Sequence, residues 1–286
     1  MYRKSVQKFI DGVPDGLEIV NTGSTFALHG FDYKYFGKKG FNFALAPQPL
    51  SYDYKILNQY KGNLVEGAVV VLVVCPFAFF VTDYSYDHNN FKYYYFLDRE
   101  NILNYSRAKN IIIKSGLALL NPREARRIAS QIIKRILRYD THKNKPKNYI
   151  KNTALSSING WKNEFGLSDT IAIEPSEELN ATFEITTGHL KNMIDLCVRC
   201  KFRPIIVSMP TCKEESDAFS AEFIEKIYTQ NVRKSNIHNA PVFDYFTDNR
   251  FHDHSLYITA DCLNEKGRKH FAEVFIEDLT NLGLVE

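Results

Sequence analysis

The sequence lacks a long apolar run, a cysteine framework and an amino-terminal leader. Its longest apolar run, AVVVLVVCPFAFFV (68–81), is too short to cross a bilayer and contains Pro76. The first sixteen residues hold no apolar segment of the signal-peptide kind. The five cysteines are an odd set without the spacing of a disulfide framework, which is typical of reduced thiols. We therefore expect a cytoplasmic protein.

The whole chain also has little excess of charge of either sign. The 36 basic and 33 acidic residues leave a formal charge of +3, which does not favour nucleic acid as a partner. The exception is the segment from Arg123 to Lys151, which contains ten basic residues and only two acidic ones, Glu124 and Asp140. This segment indicates binding to an anionic surface at the inner face of a membrane, or to a partner protein. A solvated surface helix is the alternative interpretation.

Apolar β-branched runs alternate with segments of helical period, which is typical of an α/β protein with a mostly parallel sheet. The pattern predicts a three-layer α/β/α sandwich with a flavodoxin-like, five-stranded sheet. The predicted strands cover residues 17–21, 41–45, 67–74, 203–209 and 240–245. The predicted helices cover residues 50–60, 178–201, 218–234 and 265–282. In the last of these, one apolar stripe carries Phe271, Val274, Phe275, Leu279 and Leu282.

A stretch from about residue 91 to 170 interrupts this alternation. It contains FKYYYF (91–96), a possible strand, and NPREARRIASQIIKRILRY (121–139), which Pro122 opens as a helix. We interpret residues 1–286 as one domain and this stretch as a helical cap or arm inserted in it.

In a parallel sheet, ligands bind beyond the carboxyl ends of the strands, so the residues after each strand carry the functional information. The informative segments are NTGSTFALHGFDY, FNFALAPQPLSYDY and ADCLNEKGRKHF. Together they resemble the SGNH (GDSL-type) hydrolase superfamily, in the branch found beside bacterial envelope and capsular polysaccharide genes. The third segment matches through Leu263, Asn264, Gly267 and Arg268.

That resemblance implies acyl transfer by a serine, a histidine and an aspartate, with backbone N–H groups that hold the oxyanion. The implied serine position falls on Thr25, and a shift of one residue makes Ser24 the nucleophile. The oxyanion glycine falls on Pro47, which has no N–H. The implied histidine falls on Cys262 and the aspartate on Thr259. The sequence therefore indicates a catalytic set that is altered at several positions together.

Two alternatives to the implied catalytic set remain open: a relocated histidine base and a cysteine nucleophile. His252 and His254 precede the altered motif, with Asp253 between them as an orienting carboxylate, and solvated loop histidines are the alternative. Cys262 is itself a candidate nucleophile if a nearby base or cation lowers its pKa, and a packed core cysteine otherwise.

Residues at the mouth of the sheet are candidates for substrate binding. Gln48 and Asn42 offer amides to sugar hydroxyls, and a helix start at Ser51 is the competing interpretation. The full predicted binding set is Gly23, Asn42, Gln48, Asp261 and Asn264. No cofactor or metal is expected, because CVRC (197–200) lacks a second pair and HDH (252–254) lacks a third firm ligand.

Two functions follow as hypotheses. The first is an esterase or O-acyltransferase that acts on a carbohydrate or acylated glycan of the cell envelope. The second is a non-catalytic SGNH-like module that binds a glycan or a biosynthetic partner protein.

Overall fold

The computed structural model describes residues 2–82, 87–115, 148–167 and 176–285. The chain divides into two compact units. The first consists of Met1–Val13 and Ser85–Tyr149, and the second of Pro14–Tyr84 and Ile150–Glu286. One domain with an insertion over residues 91–170 stays a prediction.

A parallel sheet is the centre of the second unit. Within the described residues, five strands hydrogen-bond in the order β2-β1-β3-β4-β5, all parallel. They are β1 Leu17–Asn21, β2 Gly40–Asn42, β3 Leu64–Val73, β4 Arg203–Ser208 and β5 Val242–Asp244. This is the flavodoxin-like order, in which the direction of winding reverses between β1 and β3. The predicted fold class is confirmed.

A short antiparallel pair, β6 Tyr257–Thr259 and β7 Cys262–Leu263, follows the sheet in the chain. The α-helices are α1 Tyr2–Ser5, α2 Gln7–Ile10, α3 Thr25–Gly30, α4 Leu50–Tyr60, α5 Asp87–Asn90, α6 Arg107–Lys114, α7 Tyr149–Phe165, α8 Glu177–Arg199, α9 Lys213–Ser216, α10 Ala221–Phe223, α11 Gln230–Ser235 and α12 Glu265–Asn281. Helices α4 and α11 pack on α8, and α12 packs on α3. These two groups are the helical layers that cover the sheet.

Helix α12 shows how the sequence pattern becomes packing. Phe271, Val274, Phe275 and Leu279 are buried on one face, and each contributes about 1.5–3 kcal/mol by leaving water. Leu282, which the stripe also predicts, lies just past the helix end and is 57% exposed. The helix therefore begins as predicted and ends one residue earlier.

One local prediction is wrong, and one helix begins later than predicted. FKYYYF is a 3-10 helix over Phe91–Tyr95, with three consecutive buried residues where a strand would alternate. The helix predicted over 218–234 begins at Ala221 and continues to Ser235, with a π-helical segment, Ile224–Thr229, between α10 and α11. The predicted basic helix over 121–139 lies outside the described residues. Within the described ranges, no helix combines the length and the apolarity needed to cross a membrane.

Candidate functional site

The chain turns sharply where β1 ends, and this turn requires glycine. Gly23 has a φ of +116°, a region that L side chains rarely adopt. A Cβ atom at this position would lie 2.9 Å from the Cβ atoms of both Ala27 and Val73. Gly23 therefore places Ser24 directly after the sheet, at the entry to α3.

A buried carboxylate joins the loops that follow β1 and β2. Asp53, on α4, is 1% exposed and accepts the Gly23 N–H at 2.7 Å and the Gln48 Nε2 amide at 2.6 Å. The two donors offset the cost of burying the charge. The sequence interpretation missed Asp53, although its position three after Leu50 and four before Leu57 places it on the apolar face of the helix.

The Ser24 hydroxyl is held by this same network. Its Oγ accepts the backbone N–H of Gln48 at 3.0 Å, and Ser24 is half-buried. Pro47, which follows Ala46 through a cis peptide bond, has no N–H to offer. Thr25 is the first residue of α3 and lines the same space as Ser24.

That space is a cavity of about 280 Å³ in the second unit, beyond the ends of β1 and β3. Aromatic and aliphatic side chains line one part of its wall, and a few polar groups line the rest. The lining residues are Ser24, Thr25, Phe26, Pro47, Gln48, Pro49, Cys75, Phe77, Ala78, Val81, Trp161, Glu164, Phe165 and Asp261. We call it the Ser24 cavity. Pockets of this composition bind small ligands and fix their orientation through the few polar groups.

The cysteine of the Ser24 cavity is a poor nucleophile. Burial raises the pKa of the Cys75 thiol to about 12, although the backbone N–H groups of Ala78 and Phe77 lower it in part. The Asp261 carboxylate raises it further. Because the thiolate is the reactive form, this thiol is inert near neutral pH.

Asp261 and Cys262 lie at the turn between β6 and β7. Asp261 lines the Ser24 cavity and accepts the Thr259 hydroxyl at 2.8 Å. Cys262 is 8% exposed, and burial, then the Asp261 charge, raise the pKa of its thiol. A hydrogen bond with the Thr259 side chain lowers the pKa of Cys262 in part, but burial is the largest effect and the thiol stays protonated near neutral pH.

The two candidate histidines lie elsewhere in the second unit. His252 lines a different cavity, of about 510 Å³, together with Asp244, Asp217 and Glu225, and we call it the His252 cavity. Its Nε2 is buried and has no partner among the described residues. His254 contacts Glu214, with 2.8 Å between Nε2 and Oε2. Among the described residues, no histidine lines the Ser24 cavity.

A third histidine, which the sequence interpretation missed, is electrostatically coupled to Asp261. His29 lies in α3, five residues after Ser24, and is half-buried. Burial and then the Arg268 charge lower its pKa, whereas Asp261 raises it. No motif spacing marks His29, because the structure brings α3 and β7 together across most of the chain length.

Two residues of the predicted binding set have structural contacts. Asn42 donates to the carbonyls of Ala27 and Phe31 and accepts from Asn21. Asn264 accepts the Gly267 N–H at 3.0 Å and thereby caps α12. Gln48 and Asp261 line the Ser24 cavity, and Gly23 precedes Ser24 and donates its N–H to Asp53.

Comparisons with known proteins add little. No family model matches the chain, and no curated protein matches it. Among solved structures, a Streptococcus pneumonia protein with the provisional description of a platelet activating factor aligns over 99% of this chain and 92% of its own. The identity is 10% and the TM-score 0.43. A likeness at this level says nothing about a reaction or a ligand.

Proposed function

We propose that this chain is an SGNH-like binding module without the hydrolytic activity of that superfamily, and that the Ser24 cavity is its binding site. One observation carries the proposal. The Ser24 cavity holds a hydroxyl and carboxylates, but among the described residues neither an imidazole nor a cationic side chain lines it.

A serine nucleophile needs a general base at hydrogen-bond distance. The contact recorded for the Ser24 hydroxyl is the Gln48 N–H, which is a donor and cannot take a proton. His252 lines the His252 cavity, and His254 contacts Glu214. A relocated base at either histidine stays a prediction, and an activity that survives replacement of both by alanine would exclude it.

Acyl transfer also needs a positive potential for the developing oxyanion. The Ser24 cavity has the opposite sign, because Asp261 and Glu164 both line it. Burial is the largest cause of the raised pKa values of Cys75, Cys262 and Glu215, and the Asp261 charge raises all three further. Asp261 therefore acts over a wide area. The negative charges of this cavity would destabilise an oxyanion formed when Ser24 attacks a substrate.

The aromatic wall supports a bound organic ligand. The rings of Trp161 and Phe77 are tilted by 32° with their centroids 4.1 Å apart, and Phe165 stacks on Phe77 with centroids 5.9 Å apart. Such surfaces take the apolar faces of sugars and acyl chains. We place the protein in bacterial envelope polysaccharide metabolism, with an acylated glycan or a biosynthetic enzyme as its partner. The basic segment 123–151 would then attach it to the inner membrane face.

The decisive experiment is intact-mass analysis after incubation with a fluorophosphonate probe. We expect no adduct on wild-type protein whose folding is verified by circular dichroism, while an active serine esterase in the same tube is labelled. A stoichiometric adduct that Ser24→Ala or Thr25→Ala abolishes would overturn the proposal. Cys262→Ala serves as the matched variant, because a thiol adduct would be lost there and nowhere else.

A second function, esterase or O-acyltransferase, is favoured by one observation: Ser24 stands at a helix entry beside a glycine turn, facing a ligand-sized cavity. Release of acetate from acetylated glycans, measured on wild type and Ser24→Ala, tests it. Release that the substitution does not change would exclude Ser24 as the nucleophile.

A further inference from the structure

The charged side chains that line the Ser24 cavity are both carboxylates. Asp261 and Glu164 contribute carboxylates, and the Ser24 Oγ already accepts one hydrogen bond. A ligand in this space meets two negative charges, so positive charge on the ligand is favoured.

Gln48 strengthens this conclusion. The residue is 4% exposed, and its Nε2 faces three acceptors: the Gly23 carbonyl at 3.1 Å, the Phe43 carbonyl at 3.4 Å and the Asp53 carboxylate at 2.6 Å. These contacts fix the orientation of the amide. They leave its Oε1 buried and without a partner among the described residues. A donor is thus the partner that this Oε1 atom lacks.

The aromatic wall favours the same kind of group. A cation within about 6 Å of an aromatic ring centroid is attracted by the negative face of the ring, most strongly for tryptophan. Trp161 and Phe77 line the Ser24 cavity together with Asp261. Aromatic faces and a carboxylate around one space are the usual surroundings of a bound ammonium group.

The field in the Ser24 cavity excludes the opposite choice. Asp261 adds to the effect of burial on the Cys75 thiol, which shows that a negative charge at Cys75 is disfavoured. No described lysine, arginine or histidine lines the cavity to counter it. Carboxylate and phosphate ligands therefore meet repulsion.

We propose that the Ser24 cavity binds a primary ammonium group of an organic ligand, with Asp261 as the counter-ion and the apolar part of the ligand against Trp161 and Phe77. This inference rests on the proposed binding function and names its ligand class. On an envelope glycan, such a group would be the free amine of an amino sugar or of an amine-bearing substituent.

The test uses three probes of one shape: 3-methylbutylammonium, 3-methylbutan-1-ol and 3-methylbutanoate. Trp161 is the only tryptophan of the chain, so its fluorescence and its indole N–H resonance report on the cavity directly. We expect the ammonium probe to bind about tenfold more tightly than the alcohol. We expect the carboxylate to bind more weakly than either.

Asp261→Asn should bring the ammonium and alcohol affinities close to each other. Glu164→Gln, on an exposed helical position, should reduce the difference in part and also serves if Asp261→Asn fails to fold. Glu277→Gln, an exposed carboxylate on α12, is the matched control and should change nothing.

Equal binding of the ammonium and the alcohol would overturn the ammonium inference and leave the binding function standing. Tighter binding of the carboxylate, or no response of Trp161 to any probe, would also overturn it. The fluorophosphonate experiment decides separately whether Ser24 is a nucleophile, so the two failures are distinguishable.

Discussion

The Ser24 cavity and the His252 cavity both lie beside the carboxyl ends of strands in the second unit, and they divide the ingredients of an acyl-transfer site. The Ser24 cavity has the hydroxyl, the glycine turn and an aromatic wall. The His252 cavity has an imidazole among carboxylates. Reactive side chains in one chain therefore do not make one site, because catalysis requires them at contact distance.

The two regions also differ in what their SGNH-like residues do. Around β7, Asn264 caps α12, and Gly267 lets the helix approach the Leu256 carbonyl, which would lie 2.1 Å from a Cβ atom. These residues fit the fold whether or not a histidine stands at position 262. Resemblance in such positions is evidence for architecture, whereas positions 25, 259 and 262 would carry the chemistry.

The largest effect is expected at the glycine turn of the Ser24 cavity. Gly23→Ala combines a positive φ with two contacts at 2.9 Å, so we expect a loss of about 3 kcal/mol in the free energy of unfolding. Gly37→Ala is the matched control, with a φ of +63° and open space around the Cβ position, and should lose about 1 kcal/mol. Urea unfolding measures both, and equal losses would show that the close approach at Gly23 does not matter.

A smaller effect per pH unit should follow from Glu215, which neighbours the Asp261 charge. It is fully buried, and burial, then Asp261, hold its pKa well above the usual range. The folded state keeps the proton where the unfolded state releases it, so stability falls as the pH rises above about 4.5, by up to about 1.4 kcal/mol per pH unit.

Urea unfolding of wild type and Glu215→Gln at pH 5 and pH 8 tests this linkage. The wild type should lose stability relative to the variant between these two pH values. A difference that stays constant with pH would show that Glu215 is ionised in the folded protein.

The smallest effect is expected at His254, in the loop that also carries His252. Its contact with Glu214 is solvent-exposed, with 43% of the histidine side chain accessible, and exposed pairs contribute little. His254→Ala should change the free energy of unfolding by about 0.5 kcal/mol or less. The substitution should leave ligand binding at Trp161 unaltered. A large loss of binding would show that the Ser24 cavity and the His252 cavity act together.

Some features of the site could be predicted from single positions. Gly23 follows an apolar strand at a turn, and Asn264 precedes an amphipathic helix at a cap position, so local rules suffice for both. Asp53, His29, Trp161 and Glu164 could not be found in this way. Each lies in an ordinary helical context, and its place at or near the Ser24 cavity depends on contacts between distant segments.

The sequence by itself determined the layered α/β fold, the order of its main strands and helices, and the presence of cysteine and threonine at positions 262 and 259. Periodicity and residue identity are local properties, and they are sufficient for those conclusions. Only the tertiary structure decided that Ser24 and His252 line different cavities and that aromatic rings and carboxylates surround Ser24. The physical reason is that the cavity is formed by side chains from α3, the loop after β2, the segment after β3, α7 and the turn between β6 and β7. Packing brings these segments together, and no spacing along the chain does.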